Sequence, residues 1–185
     1  MNIHFLYDKI FTCNKCTISR CEFNVVRSLY GGEISNIIYF WIGQNPGISL
    51  NKKWGDIVFP ITGNNNKNQD EFTTFLYKQQ IYQKSYFTNT IKCSTPQNRI
   101  PNDEEIINCF SFLHKELILV KPKCIITMGR ISKEVLEKVY TITDEFKNVK
   151  LFNIYHPTYI YSYNRNKMQT YQDNILNIKR EIENG

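Results

Sequence analysis

No run of apolar residues in this 185-residue chain approaches the ~20 that a bilayer-spanning helix requires, so the sequence does not read as a helical membrane protein. The opening stretch MNIHFLYDKIFTC is interrupted by Asp8 and Lys9 and offers no small-residue cleavage site. No secretory signal is therefore expected, and the chain is expected inside the cell, where disulfides are disfavoured. Internal repeats and low-complexity linkers are lacking too. The polar stretch GNNNKNQD reads as a loop, and residues 1–185 are taken as one domain. Acidic residues are in short supply: 17 Asp and Glu against 23 Lys and Arg leave a formal charge of +6. An excess of that sign suits a polyanionic partner, because neutralised phosphates release counterions. Several cations, among them Lys52, Lys53, Lys67, Lys84, Lys92, Arg99, Arg165 and Lys167, lie near the motifs described below.

The composition, 42% hydrophobic and 14% aromatic, is that of a globular chain. Six cysteines in a reducing compartment point to metal ligands or buried thiols. Cys13 and Cys16 form a close pair in CNKC, and Cys93 and Cys109 are distant partners that gain most from meeting at a metal centre. Structural zinc sites usually show two close pairs. One pair with two single cysteines permits zinc and is at least as compatible with a four-cysteine iron–sulfur cluster. Cys124 opens the apolar run CIITM and reads as a small core residue, while Cys21 lies near enough to the first pair to substitute in it.

Four short runs, 37–42, 86–91, 124–128 and 151–155, are nearly continuous in apolar or β-branched residues, as strands covered on both faces are. Helical spacing follows at 70–80, in a stripe through Ile106, Phe110, Leu113 and Leu117, after a Ser132 cap, and over 168–182. Asn102 or Asp103, after Pro101, can cap the second of these. Alternating strands and helices imply an α/β fold with a central four-stranded, mostly parallel sheet between helical layers. Ligands of such sheets bind beyond the C-terminal strand ends. Three of the four runs end in IGQNPG, TNTIKC and YHPTY.

Pro46 cannot continue a strand, and Gly43 and Gly47 let backbone approach a ligand closely. Asn45 then sits on a rigid turn where its amide can hold a water, although an NPG turn alone is common. His156 can donate a hydrogen bond to charge developing on a leaving group, or be an ordinary surface histidine beside a proline turn. Asn89, polar in an apolar strand end, can meet the Watson–Crick edge of a pyrimidine or cap backbone. Lys92 can face phosphate or water. The run IYSYNRNK mixes aromatics with cations, which can wedge into a base stack and grip phosphates or pack onto the domain.

Together these segments resemble the uracil-DNA glycosylase superfamily, especially its iron–sulfur branch, family 4. The likeness runs from Cys13 to about Tyr159, and KCSTPQNRIPNDEEIINC is similar to that branch's KC-x-x-P-x-NR-x-P-x-x-x-E-x-x-x-C stretch. The resemblance implies a three-layer α/β/α sandwich and a structural [4Fe–4S] cluster on Cys13, Cys16, Cys93 and Cys109, formed by the N-terminal segment and the 93–109 region. It also implies hydrolysis of an N-glycosidic bond after the nucleotide leaves the duplex. By position, Gln44 and Asn45 would place the attacking water, Asn89 would read the base, and His156 would stabilise its negative charge. The loop through Tyr159 and Ile160 would fill the gap in the duplex, with Lys92, Arg99 and Arg165 on DNA. The partner expected is DNA, with no membrane, and the chain is expected to act as a monomer.

The departures bear on the base. Family 4 usually has an acid where Gln44 stands and a small residue at Asn45; Asn45 resembles the mismatch-specific thymine/uracil branch. Gly47 stands where another uracil-excising branch carries a tyrosine gate against substituents at pyrimidine C5. Ile61 replaces the usual base-stacking phenylalanine, and Phe59, two residues earlier on the same side of an extended segment, can move in. Uracil is the base implied by resemblance. A hydroxymethylated or glucosylated cytosine of phage DNA, excised in antiviral defence, is the alternative, and a non-catalytic DNA-binding protein of the same fold is a third. Lyase chemistry is not expected, Lys92 being the one residue that keeps it open.

Overall fold

A computed structural model of the chain describes residues 2–20, 29–30, 32–47, 67–140, 146 and 148–184. Phe59, Ile61, Cys21, Lys52 and Lys53 lie outside the described residues. Five strands form one sheet among the described residues: β1 (Leu29–Tyr30), β2 (Tyr39–Gly43), β3 (Ser85–Asn89), β4 (Cys124–Met128) and β5 (Lys150–Ile154). Their order is β1-β3-β2-β4-β5, with the last four mutually parallel. The expected four-stranded parallel sheet is therefore present. The short β1 adds an antiparallel edge to it, pairing Leu29 with Phe87 and Tyr30 with Tyr86.

Side-chain alternation divides the core into two layers. Phe40, Ile42, Tyr86 and Ile125 face one helical layer, with α1 (Ile3–Phe11), α3 (Asp103–Val120) and Leu136 of α4 (Arg130–Tyr140). Tyr39, Trp41, Phe87, Ile126 and Met128 face the other, with α2 (Lys67–Lys78) and α5 (Met168–Glu183). This is the three-layer α/β/α sandwich. Burial on both faces explains why β2 and β4 read as nearly continuous apolar or β-branched runs, whereas β3 buries Ser85, Thr88 and Asn89 along with its aromatics.

Helix boundaries follow local chemistry. Asn102 caps α3: its Oδ1 accepts from the Glu105 N–H at 2.8 Å, and Glu105 Oε2 accepts from the Asn102 N–H at 2.9 Å. The expected Ser132 cap is corrected. Ser132 lies inside α4 and donates back to the Met128 and Gly129 carbonyls, because the helix already begins at Arg130. Helix α1 was not expected, yet Ile3, Leu6, Tyr7 and Ile10 are buried at helical spacing and the Asn2 side chain accepts from the Phe5 N–H.

Candidate active site and thiol cluster

Strand register places the motif residues along one edge of the sheet. Gly43 is level with Asn89, Ile42 with Thr127, and Met128 with Ile154. Gly43, Asn89, Met128 and Ile154 thus form one row at the C-terminal ends. Asn45 and His156 each stand two residues beyond it, on strands separated only by β4, or roughly 10 Å at the usual inter-strand spacing. Because β3 and β4 flank β2 on opposite sides, chain direction reverses at β2. That switch point is where open α/β sheets hold ligands.

The Asn45 amide is locked by its neighbours. Its Nδ2 donates to the Pro46 carbonyl at 3.0 Å and to Thr95 Oγ1 at 3.3 Å, while its Oδ1 accepts from Gln44 Nε2 at 2.8 Å. Thr95 Oγ1 passes its own proton to the Arg99 carbonyl at 2.6 Å, and Thr90 Oγ1 donates to the Gln44 carbonyl. Both amide N–H groups of Asn45 are used, so the remaining lone pair on Oδ1 is what the side chain offers a water. Thr95 escaped the sequence reading because a threonine in KCSTP carries no chemical signal of its own.

His156 follows β5 in a turn where the Tyr159 N–H donates to its carbonyl at 2.9 Å. Gly129 closes β4 beside it with φ +92, a backbone region suited to glycine, and a Cβ there would lie 3.7 Å from the His156 Cβ. The Thr158 N–H donates to His156 Nδ1 at 3.2 Å. The neutral ring must then carry its proton on Nε2. His156 keeps some surface but sits deep among protein atoms, and this desolvation pushes its pKa down to about 4. Between roughly pH 6.5 and pH 4 the unfolded chain binds a proton that the folded chain refuses, so this group's contribution to stability falls as pH falls through that window.

Asn89 is buried at the end of β3, and its side-chain amide has no hydrogen-bond partner among the described residues. Its carbonyl accepts from Lys92 Nζ at 2.8 Å. The expectation that Lys92 faces phosphate or water is corrected. Its ammonium is buried and makes 2.6 Å and 2.5 Å contacts to Glu116 Oε2 and Thr88 Oγ1. All three of its donors are consumed inside the protein, which also removes it as a lyase nucleophile. Glu116 could have been suspected: it is a carboxylate on the same α3 face as Leu113 and Leu117.

The proposed DNA contacts divide. Ile160 has no exposed surface and Tyr161 only 1%, so neither enters a duplex; both pack in the core with Phe72 and Tyr171. Ile160 is thereby corrected to a core residue. Tyr159 is exposed, as are Tyr155 and Tyr163 around the π-helical turn Tyr159–Tyr163. Arg99 forks onto Glu105 at 2.8 and 2.5 Å, bracing the start of α3. Arg165 pairs with Glu71 at 2.8 Å and donates to the Tyr161 carbonyl. Gly47 is exposed, and a Cβ on it would meet nothing within 4 Å among the described residues.

The four expected thiols gather where the loop after α1, the loop after β3 and α3 meet. Cys13 and Cys16 pack against the cluster that contains Cys93 and Cys109. Burial first, then the charges of Cys109, Cys13 and Cys16, pushes the Cys93 thiol up to about 12. Burial also raises Cys109 to about 11, against the opposing charge of Lys92 and a 3.2 Å bond from the Lys92 N–H to its Sγ. The Asn108 amide donates to Cys16 Sγ at 3.5 Å. Among the described residues, no three His, Cys, Asp or Glu side chains are arranged to hold a single metal ion. Cys124 is a buried core thiol.

The three-layer sandwich is that of a DNA glycosylase. The chain belongs to the uracil DNA glycosylase superfamily, whose family model matches residues 32–178. It is 29% identical over 164 residues to the type-4 uracil-DNA glycosylase of Archaeoglobus fulgidus, covering 80% of this chain and 78% of that one. With the type-4 uracil-DNA glycosylase of Sulfurisphaera tokodaii it shares 25% identity over 165 residues, covering 81% and 71%. The crystal structure of wild-type Pedobacter heparinus SMUG2 has the same fold, with a TM-score of 0.54, 12% identity and coverage of 80% and 77%. Among the described residues no helix is long and apolar enough to cross a membrane.

Proposed function

We propose that this protein hydrolyses the N-glycosidic bond of deoxyuridine in DNA and leaves an abasic site. The observation that carries this is the pairing, at one sheet edge, of an amide fixed as a water acceptor with a neutral imidazole whose Nε2–H is its donor. The extruded nucleotide would present its base to Asn89, whose unpartnered amide can supply both a donor and an acceptor. Water held by Asn45 Oδ1 attacks the sugar C1′ as the C1′–N1 bond breaks. The bonding electrons leave with the base, the developing charge on its oxygen is met by His156 Nε2–H, and the water's proton passes to solvent. Asparagine is too weak a base to deprotonate water, but an oxocarbenium-like sugar needs orientation more than deprotonation.

Uracil release from a single-site oligonucleotide, read as alkali-sensitive strand breaks, tests the proposal. Salt-dependent binding with no abasic product would instead establish a non-catalytic DNA-binding protein. Gly47 favours one addition to the panel. With no side chain gating C5, 5-hydroxymethylated and glucosylated cytosines belong beside uracil and mismatched thymine.

The imidazole makes a pH prediction. Since His156 is already neutral well below physiological pH, kcat should stay flat from about pH 5.5 to 8 as far as this group is concerned. A titration with midpoint near 6.5 would show that the ring behaves as a free histidine. In thermal melts, His156→Gln should flatten the stability loss between roughly pH 6.5 and 4.

Cys13, Cys16, Cys93 and Cys109 would hold a [4Fe–4S] cluster. Buried thiols raised this far ionise only when a cation neutralises them, and sulfur-directed N–H groups from Lys92 and Asn108 suit cluster ligands. One close pair with two single cysteines is at least as compatible with such a cluster as with zinc, whose structural sites usually show two close pairs. The cluster would supply no chemical step; it would tie the N-terminal segment to α3. Anaerobically purified protein should be brown with broad visible absorbance, and Cys109→Ser should lose both colour and melting temperature. Colourless protein containing zinc would refute the assignment.

A further inference from the structure

Past His156, along the outer edge of β5, lies a cleft of about 580 Å³ that the excision chemistry does not use. Its size falls within the range of small-ligand sites. Its lining combines Tyr155, Lys167, Asn153, Asn174, Thr170 and the core residue Tyr171. Each type contributes something that a nucleotide takes up.

Tyr155 is 58% exposed and lies against Tyr159, 42% exposed, with ring centroids 5.3 Å apart at 36°. Two adjoining aromatic rings open to solvent are a surface on which a base stacks regardless of its identity. Both rings end in a hydroxyl, which suits a platform at the strand's side better than a wedge driven into a duplex. Lys167 is exposed and makes no ion pair among the described residues, whereas Arg165 and Lys84 are each paired with a glutamate. Asn153 accepts from Thr127 Oγ1 at 3.0 Å through its Oδ1, leaving its amide hydrogens available. The Tyr171 hydroxyl is buried and has no hydrogen-bond partner among the described residues. Tyr155 immediately precedes His156 just after β5, which places the cleft next to the turn that carries the imidazole.

We propose that the cleft binds the nucleotide that flanks the excised one in the same strand, with its base on Tyr155 and its phosphate on Lys167. The platform supplies the stacking that this base loses when its neighbour is extruded. This rests on the excision reading for its purpose, but the binding site stands or falls by itself.

Uracil-free labelled dT12 separates the two in fluorescence anisotropy. Tyr155→Ala should weaken binding about tenfold and Tyr155→Phe should restore it, the size expected of one stacked base. Lys167→Ala should reduce the slope of log affinity against log salt by about 0.7, one phosphate of a single strand. Asn174→Trp, which fills an exposed wall of the cleft, should weaken binding as Tyr155→Ala does. Wild-type affinity in both Tyr155→Ala and Asn174→Trp overturns the subsite, whatever the excision assay shows. Competition by free dTMP as strong, per molecule, as by the oligomer would overturn the assignment to a strand. A Tyr155-dependent interaction with dT12 in protein that excises nothing would leave the subsite intact and defeat the excision reading instead.

Discussion

An Asn45→Ala variant should bind uracil-containing DNA within about twofold of the wild-type affinity yet release the base about a thousandfold more slowly in single-turnover assays. The amide's value lies in having only one free valence. With both N–H groups given to Pro46 and Thr95 and one Oδ1 lone pair given to Gln44, a water has one place to bind and one orientation to adopt. Alanine removes that acceptor together with the bond to the Pro46 carbonyl, while the proline ring still fixes φ at the turn. Two further variants make the result specific. Thr95→Val keeps Asn45 but frees one of its N–H groups, so kcat should fall about tenfold at nearly constant KM, as expected of a positioning residue. Asn45→Asp loses both donor contacts but restores an acceptor and adds negative charge near the sugar, and it should retain far more activity than alanine. Equal activity in wild type and Asn45→Ala would show that water is held elsewhere.

Much of this arrangement is visible in the sequence because the physics is local. Strands β2, β3 and β4 are buried on both faces, and β2 and β4 are accordingly spelled by nearly continuous apolar or β-branched residues, while β3 (SYFTN) buries polar residues as well. Motifs that break those runs fall at strand ends by necessity. The Asn102 cap and the CNKC pair are likewise short-range signals. What was hidden depends on partners far away in the chain. Lys92 sits between Asn89 and Cys93, where a lysine reads as a surface cation, and only the approach of Glu116 from α3 buries it. Ile160 and Tyr161 look like an exposed aromatic loop until α2 and α5 close over them. Helix α1 is periodic enough to be read, but Asp8 and Lys9, on its outer face, draw attention to what the segment is not. Tyr155, the ring that opens the cleft beside His156, is indistinguishable in sequence from the tyrosines packed in the core.

The Lys92–Glu116 pair yields the largest expected effect on stability. Its side chains are 3% and 0% exposed, so Lys92→Met leaves the Glu116 carboxylate in the core without its cation, although Thr88 Oγ1 still donates to it at 2.9 Å. Breaking a buried pair from one side costs about 3–5 kcal/mol, which for a chain of this length lowers the melting temperature by about 10 °C. The double variant Lys92→Met/Glu116→Leu removes both charges and should recover much of that loss, because the desolvation penalty disappears with them. Full recovery of stability need not bring full recovery of function. Lys92 Nζ also holds the Asn89 carbonyl, and the Lys92 N–H is bonded to Cys109 Sγ, so this residue joins the base-facing strand end to the thiol cluster. The backbone N–H survives in methionine, and the cluster should therefore form normally in the double variant. The carbonyl contact does not survive, and KM for uracil DNA should rise while iron content stays at the wild-type level. A double variant as unstable as Lys92→Met alone would mean that the pair contributes packing rather than charge compensation.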